Sequence, residues 1–270
     1  METLVNKKRK KGFSVSAAIV IIGCFILALI IFHFVFGNPS NFMNNDPNNH
    51  PLPGNLLGTI YKGGMIVPII QTLLLTVLVL SIERFFAIRR AKGKGSLTTF
   101  VENIKDALNK NDLRAAQAIC DKQQGSVANV VNSGLVKYAQ LEKETQMSRE
   151  QKELALQKET EEATALELPS LEQNLPVIAT MTTLGTLMGL LGTVIGMIRS
   201  FAALANAGSP DSIALSQGIS EALVNTAFGI ATGALAVIAY NYFTTKIDEI
   251  THTIDEISFT IVQTFSTTHK

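Results

Sequence analysis

Charge disappears from four long stretches of this chain. Phe13 to Gly37 contains no Lys, Arg, Asp or Glu; neither do Met65 to Ile82 and Gln173 to Ile198, and Ser212 to Thr245 holds one charge, Glu221. A helix needs roughly 20 mostly apolar residues to cross a bilayer, so the pattern predicts four membrane-spanning helices. It divides the chain into a basic N-terminus with a first anchor (1–37), an outer loop (38–63), a second span (64–86), a cytoplasmic helical domain (87–172), a third span (173–205), a short outer loop (206–211), a fourth span (212–245) and a cytoplasmic helical tail (246–270). The first span follows Lys7, Lys8, Arg9, Lys10 and Lys11, as a secretory signal would. Its apolar core is too long for a signal and no small-x-small cleavage site follows, so it is expected to stay as an anchor.

Basic flanks set the expected orientation. The Lys7–Lys11 cluster precedes the first span; Arg84, Arg89, Arg90, Lys92 and Lys94 follow the second; Lys246 follows the fourth. Positive residues concentrate on the cytoplasmic side, and all three groups predict both termini there. The outer loop, Asn38 to Lys62, is rich in Asn, Pro and Gly and is expected to be irregular.

The long polar segment carries apolar residues at helical spacing, for example Val101, Ile104 and Leu108. Its charge run, Glu142 to Glu162, reads as a solvated helix face, with partner docking as the alternative. In the tail, Ile247, Ile250, Ile254, Ile257 and Ile261 follow a 3-4-3-4 spacing, the seam of a helix bundle. That seam either packs on the chain's own cytoplasmic helices or extends the fourth span along an oligomer axis; the spacing does not choose.

The third and fourth spans differ in kind from the first, which is rich in Ile and Phe. Gly185, Gly189, Gly192 and Gly196 sit at offsets of 0, 4, 7 and 11 and form one stripe. Small stripes let helix backbones approach closely in a membrane. Beside it lie Thr182, Thr186 and Thr193. Each hydroxyl either bonds a carbonyl of its own helix or lines a hydrated surface. In the fourth span Ala222, Gly229, Gly233 and Ala236 share a small face, and Glu221, Asn225 and Thr232 share another at offsets of 0, 4 and 11. An ionisable group in a span usually faces a cavity and works there; the alternative is that Glu221 is hydrated near the outer interface. Glu221 and Thr226 are five apart and project about 140° from each other, so they cannot both point straight into one pore without a twist or a shared subunit boundary.

Composition narrows the class. Hydrophobic residues make up 47% of the 270 and charged residues 17%, below the roughly 25% charged of a soluble domain. Net charge is +1 and no basic face appears outside the membrane flanks, which excludes nucleic acid as a partner. Cys24 and Cys120, and His33, His50, His252 and His269, are scattered without ligand spacing, so no metal and no cofactor is expected. With no nucleophile–base set and no phosphate loop visible, the chain does not read as an enzyme.

The motifs run in a recognisable order. Leu168-Pro-Ser-Leu-Glu172 leads to Leu190-Leu-Gly-Thr-Val-Ile-Gly-Met197, then Gly218-Ile-Ser-Glu-Ala-Leu-Val-Asn-Thr226, Gly229 and Tyr240-Asn241, with Gly63-Gly-Met-Ile-Val-Pro68 through Ile82-Glu-Arg84 upstream. This pattern resembles the MotA/TolQ/ExbB proton channel family, and its ExbB-like members most. The resemblance implies an all-α polytopic membrane bundle of four transmembrane helices with a cytoplasmic helical domain, assembled as a homopentamer around a central pore in a bacterial inner membrane. It implies that Thr193 and Thr226 are pore threonines and Glu221 the membrane glutamate, with Thr186 and Asn225 beside them. The helix-packing set is Gly185, Gly189, Gly192, Gly196, Gly229 and Gly233. The implied partners are an ExbD-like single-span subunit in the pore, whose aspartate carries the proton, a TonB-like protein and membrane lipid. The implied work is energising outer-membrane receptors, with a Tol-type, gliding or flagellar stator or a non-conducting scaffold as alternatives. Two departures stand out: the family's Ala-Pro before the glycine helix is Gly185-Thr186 here, and many ExbB-like proteins have three spans. No span of this chain holds an aspartate, a physical reason to expect a partner that supplies one.

Overall fold

Asparagine and proline punctuate a chain that is otherwise helix. The computed structural model describes residues 16–206 and 212–268. The Lys7–Lys11 cluster, the start of the first span and all but the first residue of the 206–211 loop lie outside the described residues. The helices are α1 (Ala17–Ile31), α2 (Leu56–Lys62), α3 (Ile66–Lys92), α4 (Leu97–Asn109), α5 (Leu113–Gln123), α6 (Gly125–Leu141), α7 (Arg149–Glu172), α8 (Leu175–Asn206) and α9 (Ser212–Thr268). Four stretches are long and apolar enough to cross a membrane, within Ala17–Phe36, Ile66–Asn109, Arg149–Ala202 and Gly218–Thr268. The chain is an all-α membrane helix bundle. Pro68 and Pro176 fall in the first turns of α3 and α8, where a missing N–H leaves no bond unmade. Asn174 separates α7 from α8 with φ +65°, a left-handed conformation that Asn tolerates better than most residues.

The chain divides into two compact units, one of Phe13–Ile82 with Asn174–Asn241 and one of Glu83–Gln173 with Tyr242–Lys270. In the first unit, α1 ends in a π-helical turn, Phe32–Phe36. The loop that follows was expected to be irregular, yet it closes on itself and contains α2. Asn41 explains the closure. Its amide donates to the carbonyls of Val35 (2.8 Å) and Phe36 (3.0 Å) and its oxygen accepts from the Asn55 amide at 3.1 Å. Carbonyls at a helix end lack intrahelical partners, and Asn41 supplies them. Asn55 in turn caps α2, accepting from the Gly58 N–H at 3.0 Å. Tyr61 stacks on Phe32 with ring centroids 4.7 Å apart and meets Phe42 edge-on at 5.5 Å. Phe32, Ile60 and Val67 form a buried cluster that Val224 and Phe228 of α9 pack against.

The second unit holds α4 to α7 and the C-terminal part of α9. Ile247, Ile250, Ile254, Ile257 and Ile261 are all buried. Phe265 meets Tyr138 of α6 with centroids 4.9 Å apart, and the Ile261 side chain lies against Gly134 of the same helix. At Ile261 and Phe265 this buried face therefore packs on α6 of the same chain. A capping box starts α7: Gln151 N–H donates to Ser148 Oγ (3.3 Å) while Ser148 N–H donates to Gln151 Oε1 (2.9 Å). Glu142, Glu150, Lys158, Glu161 and Glu162 are exposed, as a solvated face requires. Burial, and secondarily the neighbouring Asp121, pushes the Cys120 thiol up to about 12.

Arg84 reads in the sequence as a basic membrane flank. In the structure it is buried, 1% exposed, and its guanidinium donates to the carbonyls of Ser170 and Leu171 at 3.1 Å each while pairing with Glu83. Both carbonyls belong to the last turn of α7, where no helical N–H reaches them. Arg84 is the donor that this helix end needs.

Candidate functional site

Four glycines of α8 meet residues of α9 in reversed order. A Cβ built on Gly185 would lie 3.1 Å from Gly233 N, one on Gly189 3.0 Å from Gly229 Cα, one on Gly192 2.6 Å from Asn225 Cβ, and one on Gly196 2.7 Å from Ala222 Cβ. Rising numbers on one helix against falling numbers on the other make the pair antiparallel. The two backbones come closest at Gly229: a Cβ there would sit 2.5 Å from the Gly185 carbonyl oxygen and 2.6 Å from Gly189 Cα. Small residues permit such a close approach of helix backbones. Gly233 faces Thr182 O and Thr186 Oγ1, each 2.8 Å from a Cβ built there.

Thr193 and Thr226 come together at this seam. Their hydroxyls face each other as a hydrogen-bonded pair. Thr226 Oγ1 also reaches Gly189 O at 3.2 Å, and Thr193 Oγ1 reaches Gly189 O at 3.2 Å and Ala222 O at 3.3 Å. Two hydroxyl protons thus serve two carbonyls and one mutual contact, so the pair has more than one bonded arrangement. Thr186 instead bonds its own helix at Thr182 O, 3.2 Å away, and Thr232 bonds Phe228 O at 2.8 Å.

Glu221 does not join the threonines. It lies half-buried on the wall of a cavity of about 280 Å³, which Asn225, Lys62, Arg199, Ser200 and Met65 also line. The divergence between Glu221 and Thr226 expected from the helical wheel is present. Asn225 is 2% exposed; its amide donates to Gly63 O at 3.1 Å, while its Oδ1 has no hydrogen-bond partner among the described residues. Lys62 donates to Asn48 O at 3.1 Å, and its ammonium lies 5.7 Å from the Phe42 ring centroid.

Sequence reasoning missed Lys62 and Arg199 as neighbours of Glu221. Arg199 was visible as the charge that ends the charge-free run of α8; Lys62 sits three residues before the run of α3 begins. It also missed buried polar groups in α3: Gln71 and Thr76 are buried, and Gln71 Oε1 and Thr76 Oγ1 find no partner among the described residues.

Residues 125–256 match the sequence profile of the MotA/TolQ/ExbB proton channel family. The chain is similar to the Tol-Pal system protein TolQ of Pseudomonas aeruginosa, 28% identical over 186 residues, covering 66% of this chain and 79% of that protein. It is also similar to the putative biopolymer transport protein ExbB homolog of Methanothermobacter thermautotrophicus, 24% identical over 196 residues, 73% of this chain and 65% of that one. With the biopolymer transport protein ExbB of Salmonella typhimurium it shares 32% identity over 81 residues, 30% of this chain and 33% of that protein. The chain thus spans about a third of the Salmonella relative and most of the Pseudomonas one.

Proposed function

The chain belongs to the MotA/TolQ/ExbB proton channel family, and we propose that it is the stator subunit of a proton-driven motor in a bacterial inner membrane, working with an ExbD-like single-span partner and a TonB-like protein to energise outer-membrane receptors. The observation that carries this reading is the hydroxyl pair Thr193–Thr226, held at a backbone-to-backbone seam inside the family-matched segment. Hydroxyls in a membrane need a partner or water; here they have each other and two carbonyls, and a pair with alternative arrangements can pass a hydrogen bond along. Glu221 tunes protonation or partner contact from the adjoining cavity. A homopentamer with both termini in the cytoplasm completes the assembly. The absence of an aspartate from the spans makes the partner the proton carrier.

Uptake of a receptor-dependent nutrient, such as an iron chelate or vitamin B12, tests the reading in a strain lacking the gene. Wild type is expected to restore uptake and Glu221→Ala to fail at equal protein level. A deletion strain that was never deficient in uptake overturns the nutrient role.

A second reading, a Tol-type envelope stator, is favoured by the 79% coverage of the Pseudomonas TolQ. It predicts that the same deletion leaks periplasmic protein and becomes detergent-sensitive with nutrient uptake intact.

A further inference from the structure

Lys62 is the last residue of α2, and the folded outer loop fixes its place. Asn41 ties the loop to the end of α1 and Asn55 caps α2. Lys62 then falls in the last turn of α2, where the partial negative charge of a helix end favours a cation. Its ammonium donates to Asn48 O at 3.1 Å and lies 5.7 Å from the Phe42 ring centroid. Both partners are neutral, and the hydrogen bond uses one of three N–H donors.

The turn after Lys62 touches both α8 and α9. The Asn225 amide of α9 donates to Gly63 O at 3.1 Å. Gly64 has φ +75°, a left-handed conformation that suits glycine, and a Cβ built there would lie 3.1 Å from a guanidinium nitrogen of Arg199 on α8. The missing side chain leaves that guanidinium its room beside the turn. Lys62 and Arg199 thus reach the wall of one cavity from two helices, and the third charged side chain there is Glu221. Among the described residues the lining holds no further charge, and both cations act on the Glu221 carboxylate. Such attraction strengthens as water is excluded, and Glu221 is half-buried.

We propose that Lys62 is a positioning residue for Glu221: with Arg199 it supplies the positive charge that holds the Glu221 carboxylate at this cavity, which makes the outer loop part of the ion machinery. The helical wheel turns Glu221 away from Thr226, and the two cations give its carboxylate a place to point. The cations differ in how they are mounted. Arg199 belongs to α8, whereas Lys62 comes with the loop, so a displaced loop takes one of the two charges away from Glu221. The inference deepens the stator reading by naming what acts on its membrane carboxylate; the attraction itself does not depend on proton flow.

Carbodiimide labelling of Glu221 in the full-length chain, reconstituted in liposomes, tests it. The reagent adds to protonated carboxyls, and a nearby cation favours the ionised form. The labelled site is identified by peptide mass spectrometry, with Glu221→Gln as the blank. At about pH 8.5, Lys62→Gln and Arg199→Gln should each raise the labelling rate about threefold or more, while Lys62→Arg matches wild type. Gln keeps an N–H donor for Asn48 O, so a role confined to that hydrogen bond would leave the rate unchanged. An unchanged rate in Lys62→Gln overturns the proposal, and so does a raised rate in Lys62→Arg. If Lys62→Gln does not fold, Lys62→Met decides on the same criterion. Proton flux is measured in parallel with the ExbD-like partner. Flux that falls in Lys62→Gln and returns in Lys62→Arg supports the positioning role; flux that ignores Lys62→Gln overturns it. Wild-type flux with no change in labelling sinks the counter-charge alone, and a change in labelling with no wild-type flux sinks the stator reading alone.

Discussion

Thr193 and Thr226 lie on different helices, 33 positions apart in the chain, and share one acceptor, the carbonyl of Gly189. That carbonyl is accessible because position 189 carries no side chain and α9 comes within backbone contact of it. Removing one hydroxyl leaves the other to serve Gly189 O. Thr193→Val and Thr226→Val should therefore each cost under about 1 kcal/mol of stability, and the double variant should show a coupling of about 1 kcal/mol in a double-mutant cycle. Thermal unfolding of the detergent-solubilised chain measures it. A coupling indistinguishable from zero would mean that the pair is not bonded in solution.

The seam should tolerate no added carbon where the two backbones come closest. Gly229→Ala would set a methyl 2.5 Å from the Gly185 carbonyl oxygen and 2.6 Å from Gly189 Cα. The helices must part, at a cost of about 1–3 kcal/mol. Gly23→Ala is the control, since a Cβ there meets nothing within 4 Å. Equal melting temperatures for the two variants would refute the close approach.

Arg84 should be costly to remove although it sits in a run of ordinary-looking basic residues. Arg84→Ala strips the end of α7 of two donors and breaks the pair with Glu83. A buried pair that loses one partner costs about 3–5 kcal/mol. Arg89→Ala and Arg90→Ala, both exposed, should stay within about 0.5 kcal/mol of wild type. Chemical denaturation of the three variants side by side separates the buried arginine from its neighbours.

In the helical tail, apolar burial should outweigh the visible ion pairs. Ile257 and Ile261 are fully buried, and replacing either with Ala should cost about 2–5 kcal/mol. Lys105 and Glu256 pair at 2.7 Å with side chains 39% and 45% exposed, so Lys105→Ala should cost at most about 1 kcal/mol. A Lys105→Ala loss as large as that of Ile257→Ala would reverse this ranking.

Cys120 should be a silent thiol until the fold opens. Only the thiolate reacts with maleimide or disulfide reagents, and a thiol held near 12 is almost wholly protonated at pH 8. In a Cys24→Ser background, labelling at pH 8 should be slow and should become fast in denaturant. The sign for stability follows from the raised value. Folded chain keeps its proton while unfolded chain loses it above 9.0, so this contribution is full below pH 9.0 and is lost as pH rises toward 12. Rapid labelling of the folded chain would contradict the buried environment.

Much of this was legible in the sequence because membrane and bundle impose short-range periodicities. The charge-free runs located the apolar helices, and the isoleucine spacing located a buried face. It left open which surface that face would meet, because spacing records a stripe and not its partner. The environment of Glu221 was not legible for a similar reason: Lys62 and Arg199 reach it from other helices, and no local pattern records such a meeting. Arg84 misled outright. A basic residue at a span end has two uses, facing water or finishing a helix terminus, and the sequence around it is the same for both. The loop before α2 misled in the other direction, since Asn41 and Asn55, residues that usually signal turns, serve here as donors and caps.

The glycine seam also constrains where water can run. Backbones in contact at Gly185, Gly189 and Gly229 leave no gap of molecular size between α8 and α9, and a water file needs a continuous one. In the proposed stator, an ion path therefore runs beside this helix pair and not between α8 and α9.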